Sequence, residues 1–163
     1  MATDAFTLAP VTHTLSNGLR LLVTPMPYAR SVSISVYFAA GSRYEPAEAD
    51  AGLSHFLEHL CFKGTVRRPK PLDISMELDA IGGNINAATN RELTVYYAKV
   101  TPEHLEQATD VLADMLRNST LIDSEIERER GVILEELAAV EDSPTEQVSV
   151  LLDQQLWPGQ PHG

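Results

Sequence analysis

Residues 32–38 alternate without a break, with Val32, Ile34, Val36 and Phe38 on one side and Ser33, Ser35 and Tyr37 on the other. Successive side chains of an extended chain point to opposite faces, so this pattern predicts a strand buried on one face only. Such a strand needs others beside it and an apolar layer over its buried side. Two candidate strand pairs are legible. Asn17-Gly18 is a strong hairpin-turn signal between residues 11–15 and 19–23. Residues 84–89 and 93–100 read as a second pair, joined around Asn90-Arg91.

The cover is predicted to be helical. Leu53, Phe56, Leu57, Leu60 and Cys61 recur at helical spacing over residues 52–63 and form an apolar face. Pro69 and Pro71 interrupt the chain, a second amphipathic segment begins at Leu72, and Gly82-Gly83 stops it. Thr101-Pro102 predicts a cap and a first helical proline, followed by a buried stripe of Leu105, Ala108, Val111, Leu112, Met115 and Leu116. Ser124 and Glu127 have capping-box spacing ahead of Ile126, Val132, Ile133 and Leu137, and a last helix is expected over residues 144–156. The class is therefore α+β, with an antiparallel or mixed sheet packed against helices.

Composition sets the limits of function. With 163 residues, 44% of them hydrophobic, the chain has the material for one ordinary core and is neither collagen-like, disordered nor a disulfide scaffold. Its 23 acids against 12 basic residues give a formal charge of −11, which disfavours nucleic acid and favours cationic partners or simple solubility. Cys61 is the single cysteine, so no intrachain disulfide can form. No apolar run approaches the ~20 residues needed to span a bilayer, so no membrane partner is expected. The first six residues, with an early Asp4 and no basic start, resemble neither a secretory signal nor a transit peptide, and a bacterial-type cytoplasmic location is expected. The run Trp157-Pro158-Gly159-Gln160-Pro161-His162-Gly163 is a string of turn signals. It leads to the expectation that residues 1–163 are the front part of a longer chain.

The chemistry concentrates in His55-Phe56-Leu57-Glu58-His59. Positions four apart share a helix face, so His55 and His59 can grip one ion, and imidazole suits zinc. Glu58 projects beside that pair rather than with it, as suits a general base acting on the attacking water. This order is the reverse of His-Glu-x-x-His, an inverzincin signature. A pair of helical histidines is often an ordinary polar surface. Here, however, the flanking residues are apolar, and buried imidazoles need partners. The third ligand is not fixed by this pattern: His13, His104 and His162 are available, and so is the acidic helix from Glu125 to Leu137. Within that helix Glu129 and Glu136 lie two turns apart on one face, so one can bind the metal while the other supports a ligand. The remaining acids are best read as solvated Glu-Arg pairs.

His-x-x-Glu-His followed by Arg130-Gly131-Val132-Ile133-Leu134-Glu135-Glu136-Leu137 resembles the pitrilysin/insulinase zinc peptidases, in particular the mitochondrial processing peptidase β-subunits and their bacterial relatives. Further matching stretches are residues 15–19, 41–45, 52–54, 62–65, 82–87 and 92–97, so the likeness spans nearly the whole chain in order. The resemblance implies zinc held by His55, His59 and Glu136, with Glu135 as the neighbouring alternative. It also implies Glu58 as general base and Glu129 as the supporting acid. Peptide substrates would pair with a sheet edge at Asn86, Ala87 and Ala88, and Asn86 would either hold the scissile carbonyl or cap a turn. The implied activity is that of a zinc metalloendopeptidase acting on peptides or unfolded, presequence-like segments. Its implied partner is a second half or a homologous subunit, since members of the family pair two related halves. Residues 1–163 are then an N-terminal metal-binding domain, most of it present, that need not cleave alone. The alternatives are a non-catalytic scaffold subunit, which need not hold stoichiometric zinc, and a metal-dependent hydrolase of small molecules.

Overall fold

The computed structural model describes residues 9–45 and 51–160, in two compact units divided after Arg30. In the first unit, β1 (Val11–Thr14) and β2 (Arg20–Val23) pair antiparallel, with Val11 opposite Val23 and Thr14 opposite Arg20. The turn is the one predicted. Gly18 takes φ +88°, a left-handed conformation that favours glycine, and Asn17 Oδ1 accepts the Leu19 N–H at 3.1 Å.

The second unit is built on a three-stranded antiparallel sheet in the order β3 (Val32–Phe38), β5 (Thr94–Val100), β4 (Asn84–Thr89). No parallel pair occurs among the described residues. The β4–β5 turn is closed by Asn90, whose Oδ1 accepts from the Glu92 and Leu93 N–H groups at 2.8 and 2.9 Å. The central strand β5 buries Thr94, Tyr96, Ala98 and Val100 on one face, as its period of two requires.

Over that face lie α1 (Leu53–Cys61), α2 (Pro71–Asp79) and α3 (Leu105–Asn118). Their contributions to the core are Cys61, then Ile74 and Leu78, then Ala108, Val111, Leu112 and Met115. Outside this layer, α4 (Asp123–Glu141) packs on α1, and α5 (Pro144–Leu156) packs on α4. Among the described residues no helix is long and apolar enough to cross a membrane.

Local expectations failed where the helix ends are set by neighbours. Pro71 does not interrupt α2; it occupies the first helical position, where a missing N–H costs nothing, and the Asp73 carboxylate accepts the Lys70 N–H at 3.0 Å. Thr101 precedes a short 3-10 turn, Pro102–His104, and makes no side-chain cap bond; α3 starts after it, which leaves Leu105 exposed. Ser124 lies inside the first turn of α4 and forms no capping box, because Ile122 is the residue before the helix, with Asp123 and Glu125 complementing the dipole. Leu53 and Leu57 are exposed, so the buried stripe of α1 is narrower than the spacing suggests.

The C-terminal end of α1 is fixed by a buried charge network. Thr65 Oγ1 donates to Asp114 Oδ2 at 2.6 Å and accepts the Arg68 N–H at 2.8 Å. Arg68 then forks onto both Glu77 oxygens at 2.6 and 2.9 Å and reaches Asp114 at 2.7 Å. One short loop is thereby tied to α2 and α3, which holds the helix that carries the histidine pair.

Candidate metal centre

The histidine helix follows Gly52, which at φ +86° takes a conformation suited to glycine and has no side chain to cap the first turn. Glu45 supplies the cap from outside: its two carboxylate oxygens accept the Gly52 and Ser54 N–H groups, each at 2.8 Å. Burial works to raise the Glu45 carboxyl, but these hydrogen bonds outweigh it and hold the group below its ordinary value.

One turn on, the His55 and His59 rings cross at 87°, and their Nε2 atoms stand 3.0 Å apart. Glu136, from α4, brings Oε2 to 3.8 Å from each of those nitrogens. This trio is the one group of three or more metal-ligating side chains that converge among the described residues. Glu135 joins no such group; His13 lies in β1, His104 ends the 3-10 turn, and His162 is outside the described residues.

The donor set fits zinc. A triangle with sides of 3.0, 3.8 and 3.8 Å has its centre about 2.1 Å from each corner, within the usual range of Zn–N and Zn–O bonds. Two neutral imidazoles and one carboxylate would hold the ion with three protein ligands, the number that catalytic zinc sites use. On the same helix, one residue before His59, Glu58 carries a buried Oε2 with no hydrogen-bond partner among the described residues. A buried carboxylate oxygen without a partner is costly, and such groups concentrate at functional sites.

Glu129 is the one described residue of α4 that is buried, at 2% exposure, although the helix carries two exposed leucines, Leu134 and Leu137. Its Oε1 meets His59 Nδ1 at 2.7 Å and its Oε2 meets Lys63 Nζ at 2.6 Å. Burial works to raise this carboxyl, but the hydrogen bonds from Lys63 and His59 prevail and lower it. Elsewhere on α4, Arg128 pairs with Glu125 and Arg130 with Glu127 as exposed i,i+3 pairs, the solvated pattern read from sequence.

The floor of α1 is closed by Tyr96, which donates to Cys61 Sγ at 3.4 Å; burial pushes both the phenol and the thiol up, so both stay neutral. The proposed substrate edge maps to β4, against which α1 packs. Asn86 and Ala88 are exposed there, Ala87 turns its side chain into the core, and Asn86 Oδ1 accepts the Ala87 N–H at 2.9 Å. Two positioning side chains, Glu45 and Lys63, carry no role in the sequence reading. The available signal for Lys63 was its place four residues after His59, just past the end of α1.

Comparison with known proteins accords with this geometry. Residues 20–163 match the insulinase family, peptidase family M16, and the chain belongs to that family. It is 45% identical over 140 residues to an uncharacterized zinc protease, YmxG, of Bacillus subtilis, covering 86% of this chain and 34% of that protein. It is 47% identical over 134 residues to the mitochondrial-processing peptidase subunit beta of Bos taurus, covering 82% of this chain and 27% of that protein. The crystal structure of a protease from Helicobacter pylori superposes with a TM-score of 0.90 at 26% identity, covering 96% of this chain and 38% of the other. Pitrilysin superposes at 0.82 with 28% identity, covering 99% of this chain and 17% of the other. The chain thus spans about a third of the length of the first curated relatives it matches.

Proposed function

We propose that this chain is the metal-binding part of a zinc endopeptidase, with His55, His59 and Glu136 holding the ion and Glu58 acting as general base. The observation that carries the reading is the convergence of these three donors, together with a buried, unpartnered Oε2 on Glu58, the residue before His59 in α1. Zinc, when bound, supplies a Lewis acid for the scissile carbonyl and for the water beside it. Glu58 accepts a proton at Oε2 from that water as its oxygen bonds to the carbonyl carbon. It returns the proton to the leaving nitrogen as the C–N bond breaks. Glu129 orients the His59 ring through Nδ1.

The substrate is an extended peptide or unfolded segment laid along β4 near Asn86, Ala87 and Ala88, and the charge of −11 favours a basic one. The full activity belongs to a longer assembly, in which a second half or a homologous subunit closes over this one; relatives whose matched part is only 34% and 27% of their length support that reading.

The test measures bound zinc and cleavage of an unfolded basic peptide for the native chain and for Glu58→Gln, each with and without a homologous second half supplied in trans. About one zinc per chain in both proteins, with cleavage lost only in the variant, is expected. A native chain without zinc, or a variant that still cleaves, overturns the assignment.

A further inference from the structure

We propose that Lys63 is a positioning residue of the metal centre: by gripping the far oxygen of Glu129, it sets which nitrogen of His59 carries the proton. This rests on the zinc reading above and extends it to a side chain outside the three donors. Lys63 lies just past the end of α1, with its Nζ 2.6 Å from Glu129 Oε2. The other oxygen of the same carboxylate lies 2.7 Å from His59 Nδ1.

The assignment follows from donor and acceptor counting. An ammonium has three donors and no acceptor, so the oxygen facing Lys63 can only accept. The carboxylate held in this way presents its second oxygen as an acceptor too, and only an Nδ1–H satisfies it. The proton on Nδ1 leaves the lone pair on Nε2, the atom 3.0 Å from His55 Nε2 and 3.8 Å from Glu136 Oε2. Lys63 is therefore tied to the direction of the metal-binding lone pair through one intervening carboxylate.

Without the ammonium, nothing pins Oε2. A buried carboxylate without a cation is costly, so Glu129 turns towards solvent and Nδ1 loses its acceptor. The His59 proton is then free to sit on Nε2, where it blocks metal binding. A role confined to docking α4 on α1 makes no such demand on the imidazole.

Two readouts on the 163-residue chain separate these roles: the ¹⁵N ring shifts of His59 in metal-free protein, and zinc affinity by competition with a chromophoric chelator. Native protein and Lys63→Arg are expected to show the Nδ1–H tautomer and zinc affinities within a few-fold of each other. Lys63→Met is expected to shift His59 towards Nε2–H and to weaken zinc about 10- to 100-fold, the usual cost of removing an outer partner. In a Glu129→Gln background, Lys63→Met is expected to cost nothing further, and this comparison decides the matter if Lys63→Met alone fails to fold. An unchanged tautomer and affinity in Lys63→Met, or a full further loss in the Glu129→Gln background, overturns the inference. A native chain that binds no zinc overturns the zinc reading instead, and the tautomer measurement still decides the role of Lys63.

Discussion

His55 Nε2 and His59 Nε2 stand 3.0 Å apart at the centre of the site. Two imidazoles at that separation either share a proton or share a cation. On the proposed zinc reading, the ion would replace that single N–H···N bond, and Glu136, whose Oε2 lies 3.8 Å from each nitrogen, would tie α4 to α1 through it.

The chain is accordingly expected to melt at a temperature that rises with zinc and falls on chelation. Saturation at a hundred times the dissociation constant adds about 2.7 kcal/mol. His55→Ala removes one of three donors and should abolish the zinc-dependent rise while the metal-free melting point barely moves, because His55 is only half-buried. Differential scanning calorimetry across a zinc series checks both statements, and a His55→Ala protein that still gains stability from zinc would show the ion sitting elsewhere.

Glu45→Ala should cost about 1 kcal/mol, the usual value of a helix cap, since it releases the Gly52 and Ser54 N–H groups at the start of α1. Because the same turn carries His55, zinc affinity should fall with it. Urea unfolding and chelator competition on one preparation measure the two effects. A loss of stability with no change in zinc affinity would show that fraying stops short of His55.

Gly41 is buried where its backbone approaches the β4–β5 turn: Ser42 and Arg43 donate to the Asn90 and Arg91 carbonyls at 3.4 and 3.0 Å. A Cβ added at Gly41 would lie 2.2 Å from the Asn90 carbonyl oxygen, and backbone on both sides must then move. Gly41→Ala is expected to destabilise the protein by roughly 1–3 kcal/mol, as overpacking does. A shift of the denaturant midpoint at unchanged slope is the sign to look for.

The sequence was most informative where physics is local. The alternation appears from Val32 to Val36, with Phe38 exposed at the strand's end; the Asn17-Gly18 turn is in place, and residues 144–156 form α5 with the expected bounds, because period and turn chemistry act between near neighbours. That Glu129 and Glu136 face the histidine pair from one side of α4 was legible for the same reason: seven residues are two turns, and α4 runs through both. What could not be read is long-range. Glu129 is assigned to support a ligand only through the family resemblance, across 70 residues from His59, and the Arg68–Asp114 contact across 46 is not legible at all, since no periodicity encodes which of several acids a given cation will find. Leu105 and Ser124 failed for a related reason, since their neighbours move the helix starts by one or two residues and change what a local signal means.

The Arg68 network makes stability acid-sensitive in a predictable direction. Asp114 is fully buried; burial alone would raise its carboxyl, but hydrogen bonds from Thr65, Asn118 and Arg68 hold it far below the ordinary 3.8. Glu77 is lowered too, chiefly by its hydrogen bonds from Arg68. A carboxyl depressed in the folded state stabilises the fold above its ordinary value, and that contribution is lost as pH falls through the depressed one. Unfolding free energy should therefore be flat through neutral pH and decline as pH drops below 4.5 for Glu77 and below 3.8 for Asp114. Asp114→Asn leaves Arg68 with one anionic contact fewer and should cost about 3–5 kcal/mol at pH 7, as breaking one side of a buried pair does. It should also flatten the acid limb, since the group that titrates there is gone. Urea titrations of both proteins between pH 7 and pH 2.5 give the comparison, and equal acid limbs would mean that other carboxylates carry the dependence.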